Sequence, residues 1–335
     1  MHVSFSPIKR PAWRLGLLSG AAAIALFAAG PRAHANLVIT PTFDSTITSD
    51  PNAAAVEGVI NTAINTYEAD FSDPINVTIK FQEMTSGLGQ SNTTLYKINY
   101  SDFYNALVAD AKTANDAIAL ASLPNGSAAG SPNPVTGSTT INVKTAELRA
   151  LGFNGALFPP IGGFDGTIGL NTDITTPGSP GSSLQYSLLA TTEHEIDEVL
   201  GLGSDLPGGG FFNDPAPEDL FRYDSAGNRS YTTNSTAKAF FSINGTTDLA
   251  QFDNQNDGGD FGDWQSNPLP PGVLPKVQDA FATPGANPAL SVELTALDVI
   301  GYDPAQAAAT PEPGTLVLLG SSLFGFAALR RRRRQ

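Results

Sequence analysis

The chain has 335 residues and no cysteine, only three histidines, and 18 Lys and Arg against 32 Asp and Glu. Without a thiol there is no disulfide, no cysteine nucleophile, no thiolate metal ligand and no cysteine to block a metal site in a pro-form. The scarcity of imidazole is as restrictive. His2 and His34 lie in an N-terminal segment that reads as removed on export, which leaves His194 as the one imidazole of the mature body. A serine hydrolase would have to use that residue as its only base. Any metal ligand beyond His194 must be an oxygen from a carboxylate, an amide, a backbone carbonyl or water.

Long apolar runs occur only at the two ends. Lys9, Arg10 and Arg14 precede an apolar stretch over 15–29, and Ala33-His34-Ala35 follows. That layout predicts a signal peptide over 1–35, cut by signal peptidase after Ala35. At the other end, Pro311-Glu312-Pro313 is followed by an apolar segment over 314–329 and then by Arg330, Arg331 and three further arginines. An apolar helix followed by arginines stays in the inner membrane with its basic end inside. The segment 311–335 resembles a PEP-CTERM sorting signal, the module also labelled after the C-termini of ice-binding proteins. The resemblance implies transient inner-membrane anchoring through a transmembrane segment at 314–329. It also implies cleavage by an exosortase-type enzyme and release to the cell surface or the extracellular matrix.

Removing both ends leaves 9 basic and 31 acidic residues, a charge near −22. Such a body does not suit nucleic acid or an anionic membrane as partner, and it suits solubility outside the cell or divalent-cation binding. Its abundance of Asn, Ser, Thr, Gly and Pro predicts many loops, and no internal repeat is visible.

Apolar periodicity predicts a helix opening at Asp50-Pro51-Asn52 and running to about Phe71, with Ala55, Val56, Val59, Ile60, Ala63, Ile64 and Tyr67 at helical spacing. Alternation over 75–81 predicts a half-buried strand. A second helix is expected over 101–114, loops over 124–138, and short strands over 140–143 and 166–170. The key helix is expected over 183–201, ending at Gly201 in a left-handed cap. Beyond it, strands over 219–224 and 229–233 would flank a turn at Ser225-Ala226-Gly227-Asn228, and a last helix would cover 290–300. Gly201-Leu202-Gly203 has no phosphate-loop context and reads as a helix end.

The chemistry sits in His194-Glu195-Ile196-Asp197-Glu198-Val199-Leu200-Gly201. Residues i and i+4 share a helix face, so His194 and Glu198 can point at one ion while Glu195 stands beside its open side. Four carboxylates within 193–198 also repel one another along a helix unless a cation or a cap compensates. The motif resembles the His-Glu-x-x-His-x-x-Gly-x-x-His helix of metzincin peptidases at His194, Glu195 and Gly201. It departs at Glu198 and Ser204, and the expected Met-turn is missing, since Met84 is the body's one methionine. The run Glu218-Asp219-Leu220-Phe221-Arg222-Tyr223 and the terminal Glu293-to-Tyr302 stretch add to a likeness with PEP-CTERM-sorted metalloproteases.

The resemblance implies an α+β, zincin-like fold. An N-terminal lobe at 36–204 would carry the active-site helix, with a loop- and strand-rich C-terminal lobe at 205–303 and a linker at 304–310. It implies Glu195 as general base, His194 and Glu198 as ligands of Zn²⁺ or, with the added carboxylate, Mn²⁺, and a protein or peptide substrate. For the third ligand Asp205 is nearest in sequence and Asp219 sits in the more family-like motif, with Asp214 and Glu218 close by. Both remain open. A second acidic run holds Asp253, Asp257 and Asp260 among glycines and reads as a possible structural Ca²⁺ loop, although Trp264 stands where an EF-hand needs its bidentate Glu. The expectation is therefore an exported metal-dependent endopeptidase whose substrate aligns on residues 166–170 as an edge strand. The alternative is a non-catalytic calcium- or polysaccharide-binding matrix protein on the same scaffold.

Overall fold

The computed structural model describes residues 36–178, 180, 184–206 and 214–305. The expected signal segment 1–35, residues 306–310 of the expected linker and the tail 311–335, including 314–329, lie outside the described residues. Among the described residues no helix is long and apolar enough to cross a membrane.

The body is a mixed α/β structure with small sheets. It opens with β1 (Val38–Phe43), a one-turn helix α1 (Ser45–Thr48) and the long α2 (Ala53–Asp70). The chain returns as β2 (Asn76–Glu83), parallel to β1, with Ile39 opposite Val77 and Phe43 opposite Phe81. A parallel pair needs a crossover rather than a tight turn, and α2 provides it. Its Val56, Ile60, Ala63, Ile64 and Tyr67, spaced by three and four, form the buried face.

Next come β3 (Gly89–Thr93), β4 (Leu95–Asn99), α3 (Tyr100–Asp110) and α4 (Ala114–Ser122). The helix expected over 101–114 ends earlier, at Asp110, and a further helix opens at Ala114. Thr113 caps that second helix: its hydroxyl accepts from Asp116 N at 3.0 Å while the Asp116 carboxylate accepts from Thr113 N at 2.8 Å. This reciprocal capping box starts a new helix axis. Then follow β5 (Thr140–Lys144), antiparallel to β4, α5 (Thr145–Ala150) and β6 (Gly166–Leu170).

The main sheet has the order β1-β2-β6-β3, with β6 parallel to β2 and β3 antiparallel to β6. Residues 166–170 therefore form an interior strand, contrary to expectation, and Gly89–Thr93 forms one edge, with β1 at the other. The polar sequence Gly-Gln-Ser-Asn-Thr hid that strand, because an edge strand half exposed to water needs no apolar alternation.

A short parallel pair, β7 (Thr175–Thr176) with β8 (Tyr186–Ser187), leads into α6 (Leu188–Leu200). Because 186–187 belong to that pair, α6 starts at Leu188 rather than 183, and Ser187 Oγ accepts from Ala190 N at 3.0 Å as its N-cap. The helix stops at Gly201 as expected, but φ there is 167°, an extended value and not a left-handed cap. The glycine is needed for space instead: a β-carbon would stand 2.6 Å from Ile300 Cδ1.

Three two-residue strands follow, β9 (Arg222–Tyr223), β10 (Phe240–Phe241) and β11 (Ala250–Gln251), and then α7 (Val292–Ile300). The turn at 225–228 forms, with Asp224 N on Asn228 O at 2.8 Å, but its flanks shrink to β9 and one Tyr223–Arg229 bridge. Tyr302 after α7 donates to Leu200 O at 2.7 Å, and Ala305 N donates to Asp70 O at 2.7 Å, so the described end of the chain is tied to the ends of α6 and α2.

Candidate metal centre

Helix α6 lies against α2 on one side and β3 on the other. Ile196, Val199 and Leu200 enter the core, and Tyr67 of α2 donates to Glu193 O at 2.8 Å, fixing the helix from behind. The opposite face borders a cleft of about 920 Å³, whose walls are the 84–91 segment, Tyr186, the 258–263 loop and Lys276.

His194 and Glu198 share that face one turn apart. The His194 Nδ1 lies 3.0 Å from the Val277 carbonyl, so a proton on Nδ1 is bound there and Nε2 points toward the carboxylates of Glu198 and Asp263. Nε2 is 3.8 Å from Glu198 Oε1 and 3.7 Å from Asp263 Oδ1. One atom from each of the three residues lies within 4.8 Å of the others, the one such group among the described residues. Donors about 2.0–2.2 Å from a shared ion stand no more than about 4.4 Å apart, so both imidazole–carboxylate separations suit a divalent cation. Each carboxylate also accepts from a side-chain donor, and the Gln278 amide that serves Asp263 lies 3.3 Å from His194 Nε2 as well. Ser91 Oγ on the edge strand donates to Glu198 Oε2 at 2.6 Å, and Gln278 Nε2 donates to Asp263 Oδ1 at 2.8 Å.

Glu195 is 4% exposed and its Oε2 has no hydrogen-bond donor. Burial, with the Glu198 carboxylate beside it, holds its pKa well above the usual carboxylate range. Burial also pushes Asp263 up to about 8. For His194 burial acts the other way, but the carboxylates of Asp263, Glu195 and Glu198 and the Val277 carbonyl outweigh it and raise the imidazole to about 10. The cluster binds protons tightly, and a divalent cation would take their place.

The two sequence-derived choices for a third ligand are turned elsewhere. After Gly201 the chain runs toward β5, where the Asp205 carboxylate accepts from Asn142 Nδ2 at 2.8 Å. Asp219 staples that same turn, accepting from Ser204 Oγ at 2.6 Å, Asp205 N at 3.0 Å and Ala216 N at 2.9 Å. Asp214 pairs with Lys97, and Glu218 accepts from Gly203 N at 2.6 Å. The carboxylate that closes on His194 is Asp263, within the acidic run read as a calcium loop. Asp260 lines the same cleft with its charge near Glu198, whereas Asp253 and Asp257 lie against one another. Asp263, Gln278, Ser91 and the Val277 carbonyl carry no motif that would single them out in the sequence.

Residues 309–333 match the PEP-CTERM protein-sorting motif. Pro311, Glu312, Pro313, Arg330 and Arg331 fall within that match. The motif marks a secreted protein handled by an exosortase-type sorting enzyme and delivered to the cell surface. No curated protein and no solved structure matches the chain.

Proposed function

We propose that the exported body is a metal-dependent endopeptidase on a zincin-like scaffold, with His194, Glu198 and Asp263 as metal ligands and Glu195 as general base. The observation that carries this reading is the convergence of an imidazole and a carboxylate one turn apart on α6 with the carboxylate of Asp263 from a distant loop, beside a buried carboxyl with a free oxygen. When bound, a divalent cation supplies Lewis-acid polarisation of a peptide carbonyl and of water. The residues do the rest. Val277 holds the imidazole so that Nε2 faces the ion, while Ser91 and Gln278 fix the two carboxylates. Glu195 takes the proton of the attacking water and returns it to the leaving amine, a task for which a raised pKa is suited. An extended peptide would lie along the edge strand β3, whose segment borders the cleft, and pair with it as an added strand.

Two carboxylates in place of two imidazoles make the ion less electrophilic, so Mn²⁺ is a natural occupant beside Zn²⁺. The same oxygen-rich donor set favours the second reading, a non-catalytic matrix protein that binds calcium or polysaccharide. Casein hydrolysis by the purified protein separates them. The endopeptidase loses activity with a chelator, regains it with Zn²⁺ or Mn²⁺, and is inactive as Glu195→Gln with its metal retained. Hydrolysis that survives both chelation and Glu195→Gln would reject the mechanism, and no hydrolysis with any metal would favour the matrix protein.

A further inference from the structure

We propose that a second divalent cation, of the calcium class, sits between Asp253 and Asp257 and fixes the loop that presents Asp263 to the cleft. Asp253 is 1% exposed; its Oδ1 accepts from Gln255 N at 3.1 Å, and its Oδ2 is buried without a donor. A buried carboxylate oxygen left without a partner is costly, and native structures rarely tolerate one without an ion or water. The Asp257 carboxyl stands against Asp253. The Gly259 backbone packs against the same oxygen: a β-carbon there would be 2.3 Å from Asp253 Oδ2, 2.9 Å from Ala280 Cβ and 3.1 Å from Phe281 Cε2. Arg222, whose charge also acts on Asp253, sends Nη1 to Phe261 O and Nη2 to Asn254 Oδ1 and has no acceptor for Nε. A site with only oxygen donors and two carboxylates on a turn suits Ca²⁺, with water and backbone carbonyls completing the shell.

The loop is closed at its base. Asp253 N donates to Asp263 O at 2.7 Å, and Asp263 N to Asp260 O at 3.1 Å. An ion at Asp253 and Asp257 therefore holds both strands of the loop and, with them, the position of Asp263. Binding of this ion is independent of any hydrolysis; only its effect on Asp263 rests on the endopeptidase reading.

The test is thermal melting of the full-length chain in mild detergent, stripped by chelator and titrated with Ca²⁺ alone. The expected result is a rise in Tm of about 3–5 °C at tenfold excess over Kd, with half-saturation at roughly 10⁻⁴–10⁻³ M. Asp257→Asn, at an exposed position that should not disturb folding, removes the rise, as does Asp253→Asn. His194→Ala keeps it. A rise that persists in both aspartate variants, a rise lost only in His194→Ala, or no rise up to about 10 mM Ca²⁺ overturns the proposal. A calcium response in a protein that hydrolyses nothing leaves this site standing and removes only the enzyme.

Discussion

Gly89 on the edge strand lies so close to Glu195 on α6 that a β-carbon at position 89 would stand 2.2 Å from the Glu195 Oε1. The edge strand thus sets where the Glu195 carboxyl sits, with no side chain of its own at that point.

Gly89→Ala is accordingly expected to displace Glu195 without touching a metal ligand. Shifts of about 1 Å at a catalytic group cost up to about 100-fold. Casein hydrolysis should fall by about 10- to 100-fold while the zinc or manganese content by elemental analysis is unchanged. Unchanged activity would show that Glu195 has no fixed role.

The reassignment of the third ligand is checked by a pair of variants. Asp263→Asn should weaken metal binding by at least about 10–100-fold, the scale on which even ligand-supporting residues act. Asp205→Asn should leave binding unchanged and alter only the turn after α6. The reverse order in a competition titration against a chromogenic chelator would restore Asp205 as ligand.

Lys144 Nζ donates to the Glu198 and Leu202 carbonyls, each at 2.5 Å, and so places a cation at the C-terminal end of α6. Replacing it with methionine removes both bonds and the favourable interaction with the helix dipole, a loss of about 1–3 kcal/mol. The expected outcome is a lower denaturation midpoint with the metal stoichiometry preserved. An unchanged midpoint would mean that water replaces the ammonium.

Stability of the metal-free protein should fall as pH rises. Burial raises Asp73, Glu193 and Asp279 to about 7 and Asp263 to about 8. A carboxyl raised in the folded state favours folding most below its unfolded pKa, and that contribution is lost as pH climbs through the folded value. His194, raised from 6.5 to about 10, works in the same direction: its contribution is full below 6.5 and is lost toward 10. Melting scans should therefore show Tm declining from about pH 5 to about pH 8. Added Zn²⁺ or Mn²⁺ should stabilise most at the upper end, where its ligands are deprotonated. A flat metal-free profile would contradict this.

Much of the fold was legible in local pattern. The buried face of α2, the strand at 75–81 and the strand at 140–143 follow from spacing alone, because each buries one face against a single core. What failed was local competition: α3 stops at Asp110 and the Thr113 capping box opens α4 at Ala114, and β8 takes the residues that would have begun α6.

Of the candidate site, the sequence by itself determined the half that lies on one helix, since helical geometry alone brings His194, Glu195 and Glu198 to one side and the chain has no thiol to compete. The matched tail likewise needs only its linear order of Pro-Glu-Pro, apolar segment and arginines. Tertiary structure alone decided that Asp263 rather than Asp205 faces His194, that β3 rather than β6 is the edge strand, and that Val277 orients the ring. Those relations join segments separated by scores of residues through packing around a common core, and no short-range spacing encodes them.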